Sequence, residues 1–149
     1  MKTLNTIKIG LLALALPLFF MASCKKDKNS SNSSASGQKG FFYAENGAST
    51  QIKADDAWVN GSYKTIMAKK GSATVLEINL SSIAVGTYSI ASPNAVTYIP
   101  GGVWVASAGT VKITKNDGSK VSGNFDATTG SGVSGVNKVS GSFTDIPIK

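Results

Sequence analysis

From Gly40 onward apolar and polar residues alternate in short runs with a period of two, separated by Gly, Asn, Asp and Ser, and no stretch sustains helical spacing. Phe41-Phe42-Tyr43-Ala44 opens this region, and a turn at Asn46-Gly47 precedes an extended run from Thr50 to Ala54. Runs from Tyr63 to Lys69 and from Ala73 to Leu80 flank Lys70-Gly71-Ser72 and predict a hairpin in which Leu76, Ile78 and Leu80 share one face. Thr87-Tyr88-Ser89-Ile90 reads as a further strand ended by Pro93-Asn94, and a short helical turn is expected around Ile83-Ala84-Val85.

The C-terminal part carries the clearest pattern. Val111 and Ile113 alternate with Lys112 and Thr114, Asn116-Asp117-Gly118 supplies a tight turn, and Val121, Gly123, Phe125 and Ala127 then alternate with Ser122, Asn124 and Asp126. A last strand, Val139-Ser140-Gly141-Ser142-Phe143-Thr144, repeats the Val-Ser-Gly-x-Phe spacing of residues 121–125. Two similar strands of one sheet produce such an echo without any duplication, and Gly123 and Gly141 suit close packing beneath the nearby phenylalanines. Antiparallel strands at this spacing predict an all-β domain, a sandwich or a partly closed barrel, and leave open which of the two it is.

The segment before residue 40 has a different grammar. Lys2 and Lys8 precede an apolar stretch from Ile9 to Phe20, and Leu18-Phe19-Phe20-Met21-Ala22-Ser23 leads directly into Cys24. A charged start, a short apolar run and small residues before a cysteine form a lipoprotein signal peptide over residues 1–23, whose removal leaves Cys24 first. The run is interrupted by Gly10 and Pro17 and is shorter than the about 20 apolar residues of a comfortable membrane span. Likeness to bacterial lipoproteins implies a diacylglyceryl thioether on Cys24, and two or more acyl chains anchor stably because each buried methylene contributes about 0.8 kcal/mol. Residues 24–39 then form a tether, rich in Ser and Asn and without large apolar side chains between Asn29 and Gln38. Residues 40–149 form the all-β domain, long enough for one core and too short for two.

Charge adds to this division. The formal net charge is +7, but Lys2 and Lys8 leave with the signal peptide and the tether holds +3, so nine lysines against seven acids give the domain only +2. Arginine is absent, which removes the usual instrument of bidentate phosphate recognition and argues against nucleic acid. Cys24 is the only cysteine, so no disulfide is expected and packing must supply the stability.

Catalytic chemistry has few tools here. The chain has no histidine, and acylation of Cys24 consumes its thiol, so a serine triad, a cysteine dyad and a zinc site of ordinary type are excluded; no cofactor is expected. A hydrolase would have to use two of Glu45, Asp55, Asp56, Glu77, Asp117, Asp126 and Asp145, yet Asp117 is explained by its turn, and Glu77 and Asp126 by the outward parity of their strands. Asp55 and Asp56 lack the run of oxygen ligands of a calcium loop. Trp58, Tyr98 and Trp104 fall in or near segments rich in Pro, Gly and Asn, where a ring could stack on a sugar, although core packing is the commoner fate of such rings in small all-β domains.

Val85-Gly86-Thr87-Tyr88, Gly109-Thr110-Val111-Lys112-Ile113-Thr114, Val121-Ser122-Gly123-Asn124-Phe125 and Val139-Ser140-Gly141-Ser142-Phe143, together with Ser23-Cys24-Lys25-Lys26-Asp27, carry a family likeness. In these motifs the chain resembles uncharacterised Bacteroidetes-type lipoproteins with a domain of unknown function. The resemblance implies a β-sandwich on a lipid anchor and brings no catalytic residues with it. At Asp55-Asp56-Ala57-Trp58 the chain departs from the Asp-Gly turn that precedes the tryptophan in similar proteins.

The expectation is therefore a non-catalytic binding or assembly module held to the cell outer membrane through Cys24, with the periplasmic face favoured over surface display and a protein or glycan as partner. A carbohydrate-binding lipoprotein using loop aromatics is the alternative, and a carboxylate-dependent hydrolase the weaker one.

Overall fold

A computed structural model describes residues 38–132 and 135–149. Cys24, the expected signal peptide over 1–23 and nearly all of the tether over 24–39 lie outside the described residues. Within them the chain is all-β, with no helix and 65% of its residues in strands, and its antiparallel sheet is curled into a half-barrel.

The strands are β1 (Gly40–Glu45), β2 (Ile52–Lys53), β3 (Asp56–Asn60), β4 (Thr65–Lys70), β5 (Ala73–Asn79), β6 (Gly86–Ser89), β7 (Ala95–Tyr98), β8 (Trp104–Asn116), β9 (Lys120–Gly132) and β10 (Lys138–Pro147). Their order across the sheet is β2-β1-β10-β9-β8-β7-β5-β4-β3, with β6 beside β8. The two outermost strands are successive parts of one segment. Ile52 and Lys53 pair with Tyr43 and Phe42, the Ala54 N–H donates to Phe41 O at 2.9 Å, the Asp55 N–H donates to Lys69 O at 2.8 Å, and Asp56–Asn60 then pair with Lys69–Thr65. A single run of chain thus changes partners between Ala54 and Asp55 and ties the two edges of the curl together. A second seam lies at the chain's end, where Val59 bridges Ile148 in parallel and the Lys149 N–H donates to Val59 O at 2.8 Å.

Alternation explains which side of each strand is buried. Ile66 and Ala68 of β4, Leu76 and Ile78 of β5, Val111 and Ile113 of β8, and Val121, Phe125 and Ala127 of β9 point into one interior. Phe41, Phe125 and Phe143 form its aromatic centre, with the Phe41 ring centroid 5.6 Å from Phe125 and 5.9 Å from Phe143. Burying each such ring contributes about 1.5–3 kcal/mol. The repeated Val-Ser-Gly-x-Phe motif acquires a structural meaning here: β9 and β10 pair so that Gly123 stands opposite Phe143 and Gly141 opposite Phe125.

One local expectation is corrected, and three aromatic positions are located. The helical turn around Ile83-Ala84-Val85 is a bend instead, because the Asn116 amide donates to Ile83 O at 2.9 Å and Ser82 Oγ accepts the Ala84 N–H at 3.1 Å, which leaves those backbone groups committed outside a helix. The segment around Trp58 is strand β3. Tyr98 and Trp104 are the last residue of β7 and the first of β8, so the Pro-Gly-Gly stretch between them is a turn and the rings belong to its flanking strands.

Candidate functional site

The three aromatic residues singled out from the sequence do not form one site. Tyr98 and Trp104 are register partners in the interior and are only 2% and 1% exposed. The Tyr98 hydroxyl donates to Glu45 Oε1, and its ring centroid lies 6.0 Å from that of Tyr43. Burial, and then the Glu45 hydrogen bond and charge, push the Tyr98 hydroxyl far above the ordinary tyrosine range. Trp104 covers the glycine at 130: a β-carbon there would fall 2.4 Å from Cε2 of the indole. The Trp104 Nε1–H has no hydrogen-bond partner. Neither ring can reach a soluble ligand in this arrangement.

Trp58 stands on the other face of the sheet, half-buried. Lys69 Nζ lies 5.4 Å and Lys149 Nζ 4.8 Å from its ring centroid, so the indole's π surface is already engaged by cations.

Next to it the outer face of β3, β4 and β5 carries a groove of about 370 Å³ lined by Asn60, Tyr63, Thr65, Met67, Glu77 and Asn79. Register builds it. Thr65 pairs with Asn60 on one side and Asn79 on the other, and Met67 pairs with Trp58 and Glu77, so outward residues of three strands fall into two adjacent rows. The β3–β4 turn adds the wall. Lys64 takes a left-handed backbone (φ 57°), Asn60 Oδ1 accepts the Tyr63 N–H at 3.1 Å, and the Tyr63 side of this turn is left 78% exposed above the groove.

A relay of hydrogen bonds sets the polar groups. Thr65 Oγ1 donates to Asn79 Oδ1 at 2.7 Å, and Asn79 Nδ2 donates to Glu77 Oε1 at 3.1 Å. The relay fixes the Asn79 amide in one orientation, with its second N–H, the Glu77 Oε2 atom and the Asn60 NH₂ group left for a ligand. Tyr63 was open to discovery by the signal that pointed to Trp104, an aromatic residue in a Gly- and Asn-rich turn (Asn60-Gly61-Ser62-Tyr63). The two rows of partners beneath it depend on pairing across strands and have no local signal.

The acids are dispersed and mostly engaged. Asp55 accepts from Lys70 Nζ at 2.7 Å and from the Gly71 N–H at 2.8 Å, and these bonds, the lysine's foremost, hold its carboxyl below the usual range. Asp126 pairs with Lys138 at 2.8 Å. Asp117 and Asp145 share Lys115, at 3.3 and 3.0 Å, and both are held low, Asp117 chiefly by the Ser119 hydroxyl and Asp145 chiefly by Lys115. Among the described residues no group of three or more His, Cys, Asp or Glu side chains is placed to hold a metal ion.

The family model for a domain of unknown function, DUF6252, matches residues 38–147. The chain belongs to the DUF6252 family. The match begins just before β1 and ends on the last residue of β10, so the DUF6252 domain and the curled sheet are the same unit, and the Tyr63 groove lies wholly inside it. No curated protein and no solved structure matches the chain.

Proposed function

We propose that this DUF6252 protein is a lipid-anchored component of the cell envelope whose β domain is a non-catalytic binding module, with the Tyr63 groove as its ligand surface. The groove carries this reading: it joins an exposed ring to oriented, partly unpaired polar groups on a rigid sheet. The anchor is supported by Cys24 and the leader before it, and the outer membrane, periplasmic face, is the favoured location.

Binding is preferred to hydrolysis for a chemical reason. A carboxylate mechanism needs one acid kept protonated beside one kept ionised. Asp117 and Asp145, the two carboxylates that share a lysine, are both pushed towards the ionised form, and neither is fitted to donate a proton.

Two measurements test the reading. Cys24→Ser should abolish palmitate labelling and release the protein from the membrane fraction, and unchanged partitioning would remove the anchor. In cells carrying a photo-cross-linking amino acid at Tyr63, an envelope component should be captured in an ultraviolet-dependent way, and absence of any adduct would remove the groove. Protease treatment of intact cells decides the face: rapid cleavage of the domain would refute the periplasmic assignment.

A further inference from the structure

We infer that the Tyr63 groove takes a neutral saccharide. This assignment rests on reading the groove as the ligand surface, and it goes further by naming the class of ligand from the groove's chemistry. Pyranose rings present an apolar C–H face and an equatorial rim of hydroxyls. The groove matches both with different residues: the exposed Tyr63 ring and the Met67 floor offer apolar contact, while Asn60, Glu77 and Asn79 offer directional hydrogen bonds.

The free valences suit a diol. Glu77 Oε1 is occupied by Asn79, which leaves Oε2 as an acceptor beside the second Asn79 N–H as a donor. Adjacent hydroxyls, each a donor and an acceptor, complement such a pair, and the Glu77 carboxylate, which can only accept, keeps the Asn79 amide from turning to offer its oxygen instead. The groove's volume of about 370 Å³ lies near the lower end of small-molecule sites, which span about 300–1,000 Å³.

Other ligand classes fit less well. The only charged group in the lining is the Glu77 carboxylate, and Lys69 and Lys149 nearby are held on the Trp58 ring, so an anionic sugar, phosphate or nucleic acid would meet a negative charge in the groove itself. An extended peptide has no free edge to join at the groove, because β4 and β5 are paired on both sides and the outer side of the edge strand β3 beside Asn60 is already bonded to Ile148 and Lys149. A lipid chain would strand four polar side chains of the six that line it.

The test is isothermal titration of the full chain in detergent micelles with linear tetrasaccharides of glucose, xylose, mannose and N-acetylglucosamine, and with tetragalacturonate as the acidic comparison. At least one neutral sugar should bind, Tyr63→Ala should weaken it about tenfold, and Glu77→Gln by a similar factor through loss of the charged acceptor. Because Tyr63 is exposed, Tyr63→Ala should leave the thermal midpoint unchanged, which separates lost contact from lost fold. Preference for tetragalacturonate, or neutral-sugar binding unchanged in Tyr63→Ala, would overturn the inference. A silent panel would also overturn it; the in-cell cross-link at Tyr63 then tells whether the groove fails too, since an adduct keeps it as a binding surface for another partner and no adduct removes both.

Discussion

Phe143 lies across the place that a β-carbon on Gly123 would occupy: such an atom would come 2.6 Å from Cζ of the ring and 2.2 Å from the Lys112 carbonyl oxygen. Gly141 stands in the same relation to Phe125, 2.8 Å from its Cε1. Each phenylalanine covers the glycine opposite it on the neighbouring strand, so the missing side chains leave room for rings and the strands stay close.

Gly123→Ala should therefore destabilise the domain by about 3 kcal/mol, the cost of overpacking against a main-chain oxygen that cannot move aside. Gly118→Ala provides the comparison. Its position has nothing within 4 Å and only a left-handed φ of 86°, so about 1 kcal/mol is expected there. Urea denaturation of both variants checks the ranking; a Gly123→Ala change no larger than that of Gly118→Ala would refute the packing argument.

The hairpins were legible because local signals and burial agree in them. Leu76 and Ile78 alternate with outward Glu77, and Asn116-Asp117-Gly118 turns β8 into β9, so pattern and turn chemistry point to the same structure. Strand β3 was not legible. No strand was read at Asp55-Asp56-Ala57-Trp58, and what makes Asp56–Asn60 a strand is its pairing to β4, with Val59 buried by elements distant in sequence. The change of partners at Ala54 and Asp55, which turns an open sheet into a curl, likewise has no local cause. Tyr98 and Trp104 follow the commoner fate expected of such rings: Pro100, Gly101 and Gly102 form a turn between them, and loop composition surrounds two rings that are themselves buried.

Tyr98 and Glu45 predict a dependence on alkaline pH. Burial and the neighbouring carboxylate raise the Tyr98 hydroxyl, and burial raises Tyr43 as well. Both tyrosines hold their protons more tightly folded than unfolded. The stability linked to them is fully present below about pH 10, the unfolded value, and is lost as pH rises beyond it. Tyr98→Phe removes the larger contribution, so its stability should fall less steeply than wild type above pH 10, while at neutral pH it loses about 2 kcal/mol with the bond to a carboxylate. Parallel slopes in urea melts across this range would disprove the linkage.

Asp117 predicts the acid limb. Its carboxylate accepts from the Ser119 hydroxyl at 2.9 Å and from the Ser119 and Lys120 N–H groups at 3.0 and 2.8 Å, which lowers its pKa. A depressed folded value means stability fully present above the unfolded value of about 3.9 and lost as pH falls below it towards the lower folded value. Asp55 and Asp145 shift in the same direction. Asp117→Asn should thus be less stable than wild type at neutral pH and should lose less on acidification below about pH 4. Circular dichroism melts at stepped pH check it, and equal acid sensitivity in the two proteins would exclude Asp117 as a source.

Removing Ile148 and Lys149 tests whether the terminal seam holds the curl. The deletion takes away the parallel bridge at Val59, the Lys149 N–H bond to Val59 O at 2.8 Å, the Gly61 N–H bond to Lys149 O at 3.1 Å and the Ile148 N–H bond to Ser119 O at 2.8 Å. At about 1 kcal/mol for each hydrogen bond, and with the packing of Ile148 against the core lost too, a destabilisation of about 3–4 kcal/mol follows. The effect should be local first: amide exchange should accelerate in Asp56–Asn60, where β3 keeps only β4 as a neighbour, and much less in β8 and β9, which pair with each other along their length. Trp58 reports the same event, since loss of Lys149 uncovers one side of its ring and should shift its emission to longer wavelength. Uniform exchange across the sheet would mean that the domain opens as one unit and that the seam has no separate role, whereas acceleration confined to β3 would identify Ile148 and Lys149 as the clasp of the curled sheet.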